Sequence, residues 1–214
     1  MWRSAALALA PLSVLFFAQP AQTLEPAQFQ NPLHSVLKTI SAPTIIDPQW
    51  VSPEAKKTYT YRIETRGKIT ADPAEFAQLA NETLTDSRGW AQAGIGFKQV
   101  DSGGDFVLYL SAAEKLPSFG SPCHVSWSCR SGNNVIINQD RWLDSSTAWK
   151  SAGESLRDYR HMVLNHEVGH WLGFKHVTCS SAGSASPIMQ QQSISLRGCK
   201  ANPWPLDSEI ARAK

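Results

Sequence analysis

Five residues between positions 166 and 176 have the types and spacing of a zinc site: His166, Glu167, His170, Gly173 and His176, in the run His-Glu-Val-Gly-His-Trp-Leu-Gly-Phe-Lys-His. On an α-helix, residues four apart stack with their β-carbons about 5–6 Å apart, so His166 and His170 can each direct a ring nitrogen at one ion. Had the helix continued, His176 would stand about 9 Å further along the axis and on another face. Glycine readily takes the left-handed conformation that ends a helix, so Gly173 is the expected break that swings His176 back to the metal. Three histidines leave the fourth position of a zinc tetrahedron for water. Glu167, directly after the first ligand, is then placed as a general base rather than as a ligand. An accidental match at these five positions in a chain of this composition and length has a chance on the order of 10⁻⁵. The competing reading, a core helix with satisfied histidines, would bury two imidazoles and a carboxylate without a metal, which is costly.

The zinc motif needs a helix, and the helix needs a start. Ser155-Leu156-Arg157-Asp158 resembles a capping box. Leu156, Tyr159, Met162 and Val163 then lead into His166 and His170 on roughly one side, which lays the helix across a sheet with its carboxyl end in a cleft. Tyr159 is expected in the core, Arg157 on the surface, and His161, off the ligand face, in solvent. His34 and His124 lie outside the motif and receive no role.

Upstream, Tyr59, Tyr61 and Ile63 alternate with polar residues and predict a strand over 58–65. Asp72-Pro73-Ala74-Glu75 opens a helix with a capping Asp, a first-position Pro and an acidic first turn. Phe76, Leu79, Ala80, Thr83 and Leu84 give that helix one apolar stripe. Strands are predicted over 95–100 and 105–111, separated by Asp101-Ser102-Gly103-Gly104, which has the composition of a tight turn. Residues 112–133 read as loop with room for one edge strand, and 134–138 as a buried strand. Asp207-Ser208-Glu209-Ile210 begins a last helix.

The remaining sequence bounds the setting. Arg3 and the uncharged run Ala5–Ala18 make residues 1–21 a signal peptide or signal anchor, since the run falls short of the roughly 20 residues that span a bilayer. Cleavage is expected near Ala18 or Ala21; neither has a clean small-x-small site, and an uncleaved anchor is the alternative. Residues 22–57, with Pro26, Pro32, Pro43, Pro48 and Pro53, read as an extended arm or linker. Residues 58–214 are long enough for one domain. The net charge of +2, with no basic run, gives no reason to expect a nucleic-acid partner. Cys123, Cys129, Cys179 and Cys199 fit an oxidising compartment. Of three possible pairings, Cys123 with Cys129 and Cys179 with Cys199 are favoured, because each closes one local loop. An extended run would hold positions 123 and 129 about 20 Å apart, whereas a disulfide needs about 7 Å, so this loop must bend back on itself. A Cys/His metal cluster using His124 is weaker, as the spacing matches no common zinc pattern.

With these residues in place the sequence resembles the metzincin clan of zinc metalloproteases, defined by H-E-x-x-H-x-x-G-x-x-H and a following methionine turn. The turn would be Ser186-Pro187-Ile188-Met189-Gln190, with Met189 thirteen residues after His176. More closely, the chain resembles a family of secreted actinobacterial metzincin-like domains of unknown function. The resemblance implies an α+β fold: a twisted mixed β-sheet packed on an N-terminal helix and the active-site helix, and a small C-terminal subdomain after the third histidine. It also implies that Met189 forms an apolar floor beneath one catalytic Zn²⁺. Two departures stand out. Some metzincins carry a tyrosine just after the methionine, where this chain has Gln190-Gln191-Gln192, and there is no recognisable cysteine-switch propeptide. The expected function is a secreted or envelope-associated zinc endopeptidase acting on a peptide or protein substrate, with no membrane contact beyond a possible N-terminal anchor. Its rivals are a zinc hydrolase of cell-wall peptide or amide bonds and a non-catalytic, zinc-stabilised binding module of the envelope. An open-coordinated zinc beside a glutamate suits catalysis better than structure.

Overall fold

The computed structural model describes residues 55–213; the leader at 1–21 and the arm up to residue 54 lie outside the described residues. Five strands, β1 (Lys57–Arg66), β2 (Ile95–Gln99), β3 (Phe106–Ser111), β4 (Cys129–Ser131) and β5 (Asn134–Asn138), form one sheet in the order β2-β1-β3-β5-β4. Four run parallel, and β4 pairs antiparallel with β5 at one edge. The helices are α1 (Pro73–Thr85), α2 (Gln139–Asp144), α3 (Thr147–Ser151), α4 (Leu156–Trp171) and α5 (Asp207–Ala213). The fold is a mixed α+β architecture with a mostly parallel sheet.

The sequence signals for α1 hold in detail. Asp72 accepts a hydrogen bond from the Ala74 amide at 2.8 Å, Pro73 is the first helical residue, and Phe76, Leu79, Ala80, Thr83 and Leu84 are the buried face. That stripe packs α1 against α4 and the sheet. In β5, Val135 and Ile137 join the helix-side core while Ile136 joins a second cluster with Leu116, Cys123 and Cys129 on the opposite face. Being covered on both faces, the strand reads as a continuous apolar run.

The segment 101–104 departs from the expected tight turn. β2 pairs with the first half of β1 and β3 with the second half, on opposite edges and all parallel. The chain therefore steps across β1 instead of folding into a hairpin. The Val100 amide donates to the Tyr61 carbonyl at 2.8 Å, the Asp105 amide to Thr60 at 2.8 Å, and Arg62 Nη1 to the Gly103 carbonyl at 2.6 Å. Gly104 makes this possible: its φ is +95°, and a β-carbon there would lie 3.3–3.4 Å from the Thr60 and Phe106 oxygens and the Arg62 nitrogen. The turn-forming residues supply the bend, and the long-range pairing decides where it leads.

Helix α4 is buried nearly all round, from Tyr159 through Gly169 apart from Arg160. Ser155 caps it, accepting from the Asp158 amide at 3.0 Å. Trp90 and Trp149 brace it, donating through Nε1 to the carbonyls of Asn165 at 3.1 Å and Ser155 at 2.9 Å. Burial on nearly every side of the helix overturns the expectation that His161 faces solvent. Its ring is buried beside Trp204, with centroids 4.9 Å apart. Thr83 Oγ1 gives its hydrogen to the Leu79 carbonyl at 2.6 Å, so His161 Nδ1, 2.8 Å away, donates to that oxygen. His161 is covered by Thr83 of α1 and by Trp204 of the C-terminal segment, whose approach local spacing does not encode. Tyr159 is in the core and Arg157 on the surface, pairing with Glu82, as expected.

Candidate metal centre

The three histidines of the motif come together. Their ligating nitrogens lie within 4.8 Å of one another, and the Nε2 atoms of His170 and His176 are 3.0 Å apart. Tetrahedral zinc with bonds of about 2.0–2.1 Å would separate ligand nitrogens by roughly 3.3 Å, so the cluster has the right size for that ion. The third histidine reaches the others because α4 stops. The Phe174 amide donates to the Gly169 carbonyl at 3.0 Å and the Gly173 amide to His170 at 3.1 Å, the two bonds of a Schellman motif, with Gly173 at φ +99°.

Each helical imidazole is oriented by its other nitrogen. His166 Nδ1 donates to the Ile188 carbonyl at 2.7 Å and His170 Nδ1 to the Phe174 carbonyl at 2.9 Å. These bonds fix the tautomer and leave both Nε2 lone pairs for a cation. Burial pushes the His166 ring down to about 3 and holds His170 and His176 below their ordinary value. Neutral imidazoles are the form that binds metal. The donor chemistry, spacing and tautomers therefore fit a zinc ion.

Glu167 is buried, and its Oε2 has no hydrogen-bond partner among the described residues. Burial raises its carboxyl to about 8, against a downward pull from Arg130. It borders a cleft of about 430 Å³ that is also lined by the three histidines, by Trp127 and Arg130 from the β4 side, and by residues 191–194. His176 is exposed, so the cluster opens to solvent.

Met189 is fully buried against the helix. A β-carbon at Gly169 would collide with its sulfur and come within 2.9 Å of Trp90, so the glycine is what admits the methionine beside the histidine turn. The turn is bolted to both ligand segments: the Ile188 carbonyl accepts a hydrogen bond from His166 Nδ1 at 2.7 Å, and the Met189 carbonyl accepts one from the Val177 amide at 3.2 Å.

Sequence reasoning missed several residues that shape this centre. Glu209, noted only as part of a helix start, is buried in α5. It accepts from the amides of Ile188, Met189 and Leu206, each at 2.9 Å. A glutamate three residues into a short helix is a capping signal, which accounts for the bond to Leu206 but not for the reach into the methionine turn. Gln190 and Gln192, which follow Met189, are both buried fasteners. Gln190 accepts from the Cys179 amide at 2.7 Å, and Gln192 exchanges hydrogen bonds with Asn202. Tyr159 donates to or accepts from Ser193 at 2.9 Å, and burial pushes its phenol up to about 12. Arg130 gave no sequence signal. Both local disulfides form: Cys123–Cys129 with α-carbons 5.3 Å apart, and Cys179–Cys199 at 6.5 Å.

Residues 44–211 match the family described as "Protein of unknown function (DUF3152)". The chain belongs to the DUF3152 family. No curated protein matches this family member. Among solved structures, it is similar to the 1.5 Å crystal structure of archaemetzincin from Methanopyrus kandleri, at 12% identity over 72% of this chain and 92% of that one, with a TM-score of 0.42. At that distance no residue role passes from the archaeal protein to this DUF3152 chain.

Proposed function

We propose that this chain is an exported zinc-dependent endopeptidase of metzincin type. The observation that carries the reading is the convergence of His166, His170 and His176 on one point, beside a buried glutamate oxygen that has no partner among the described residues. Structural zinc sites close with four protein ligands, whereas catalytic sites keep three and an open position. Here three ligands converge and the third is exposed.

A zinc ion in this site would polarise the scissile carbonyl and make water acidic enough to attack at neutral pH. The rest falls to the chain. Glu167 takes the proton from the attacking water and delivers it to the departing amine; burial raises its carboxyl, and Arg130, together with the charge of a bound zinc ion, would oppose that rise and favour the ionised form a base needs. Ile188 and Phe174 hold the rings of His166 and His170 in one tautomer. Met189 fills the space under the helix turn that carries His166 and His170. Two disulfides are compatible with export, and among the described residues no helix is long and apolar enough to cross a membrane.

Metal analysis of the purified chain, paired with digestion of an unbiased peptide library, tests the reading. The expected result is one equivalent of zinc and cleavage that stops on chelation and returns with zinc. One equivalent of zinc that only stabilises the fold, with no peptide cleaved, would favour a binding module instead.

A further inference from the structure

Resting on the peptidase reading, the charge inventory of the cleft points to the class of substrate. Among the described residues that line it, Arg130 is the sole lysine or arginine and Glu167 the sole carboxylate. Arg130 is half-buried and forms no ion pair with any described carboxylate, although it faces the cleft that holds Glu167. One contact is made: Nη2 donates to the His170 carbonyl at 3.1 Å. That carbonyl already accepts from the Gly173 amide, so the helix end does not depend on it. The other guanidinium N–H groups have no partner among the described residues.

The position is built. Arg130 sits on β4 in register with Val135 of β5, directly after Cys129 with its disulfide to Cys123. A guanidinium held this way is a rigid fork, and a fork of N–H donors matches a carboxylate bidentately. Withdrawing a cation partly from water without a counter-ion is costly, and a bound anion would offset that cost.

We propose that Arg130 is a specificity-determining residue that receives a carboxylate of the bound peptide, either an acidic side chain near the scissile bond or the free carboxyl terminus. The reaction centre would then sit between Glu167, which handles the proton, and Arg130, which sets the register of the substrate.

Binding rather than turnover tests this. The full chain carrying Glu167→Ala is loaded with zinc, and hexapeptides with Asp or Asn scanned through each position, as free acids and as amides, are titrated by calorimetry. At least tenfold tighter binding is expected for a carboxylate at one place. An Asp-over-Asn difference assigns a side chain, and an acid-over-amide difference assigns the terminus. Adding Arg130→Gln should reduce the preference to within twofold. Arg130→Lys, which keeps the charge and a donor for His170 but loses the fork, should fall between. No carboxylate preference, or one that either variant leaves intact, overturns the proposal. If the chain with Glu167 intact cleaves none of these peptides while the preference depends on Arg130, the peptidase reading fails and this inference stands. If it cleaves acidic and neutral peptides alike and binding shows no preference, the peptidase reading stands and this inference fails.

Discussion

At the scale of single residues, the division between surface and core decides more of the chemistry than the motif itself does. His161 illustrates it. Burial and the nearby Arg157 and Arg88 hold its imidazole below the ordinary value, with Asp158 and Asp86 opposing. The unfolded ring takes up a proton near pH 6.5 and the folded ring resists, so the unfolded state gains protons first as the pH falls. Stability from this group is present above pH 6.5 and is lost progressively below it. Urea unfolding of the parent and of His161→Gln between pH 7.5 and 5 should therefore show the parent losing more stability on acidification. A gap between the two that does not change with pH would contradict this. Glu167 belongs to the same scale: its burial, invisible in the motif, raises its carboxyl above the ordinary value, with Arg130 opposing.

Elements come together around the methionine turn. Glu209 in α5 holds two of the turn's amides, and the turn's Ile188 carbonyl orients His166 in α4. Glu209→Ala would leave buried amides unpaired, at about 1–3 kcal/mol each. It should also weaken zinc binding by roughly 10–100-fold, the usual cost of losing a group that orients a ligand. Competition with a chromophoric chelator measures the second effect; destabilisation with unchanged zinc affinity would show that α5 does not position His166. The reach of local signals is clear from these same elements. The cap and stripe of α1, the start and glycine stop of α4 and the two-sided burial of β5 are written in neighbouring residues, and all were legible. The crossing of residues 101–104 over β1, the covering of His161 and the grip of Glu209 on a turn some 20 residues earlier depend on tertiary partners, and no periodicity announces them. The cluster of His166, His170 and His176 was legible because helix geometry and one glycine suffice to bring it together. Arg130 was not, because a lone arginine on a three-residue edge strand looks like any surface cation.

For the molecule as a whole, the helices and sheet support α4, while the segment after His176 contributes no strand to the sheet; it packs Ile188, Met189 and Ile210 into the core and is fastened by side-chain hydrogen bonds and one disulfide. Closing a loop of 20 residues between Cys179 and Cys199 stabilises the fold by about 3 kcal/mol in the chain-entropy view, more than the shorter Cys123–Cys129 loop. Replacing Cys179 and Cys199 with Ala should lower the unfolding free energy by about that amount; a larger loss from the Cys123–Cys129 pair would contradict the ranking. Oxidation thus supports the segment that carries Met189 beside the candidate metal centre, and both disulfides are compatible with export. The most direct test of the central claim is kcat/KM for a cleaved peptide, measured together with zinc content, for the parent and Glu167→Gln. The expected result is a fall of about 10²–10⁴-fold with one zinc retained, the range for removing a general base. Equal rates in the two proteins, with zinc bound in both, would contradict it.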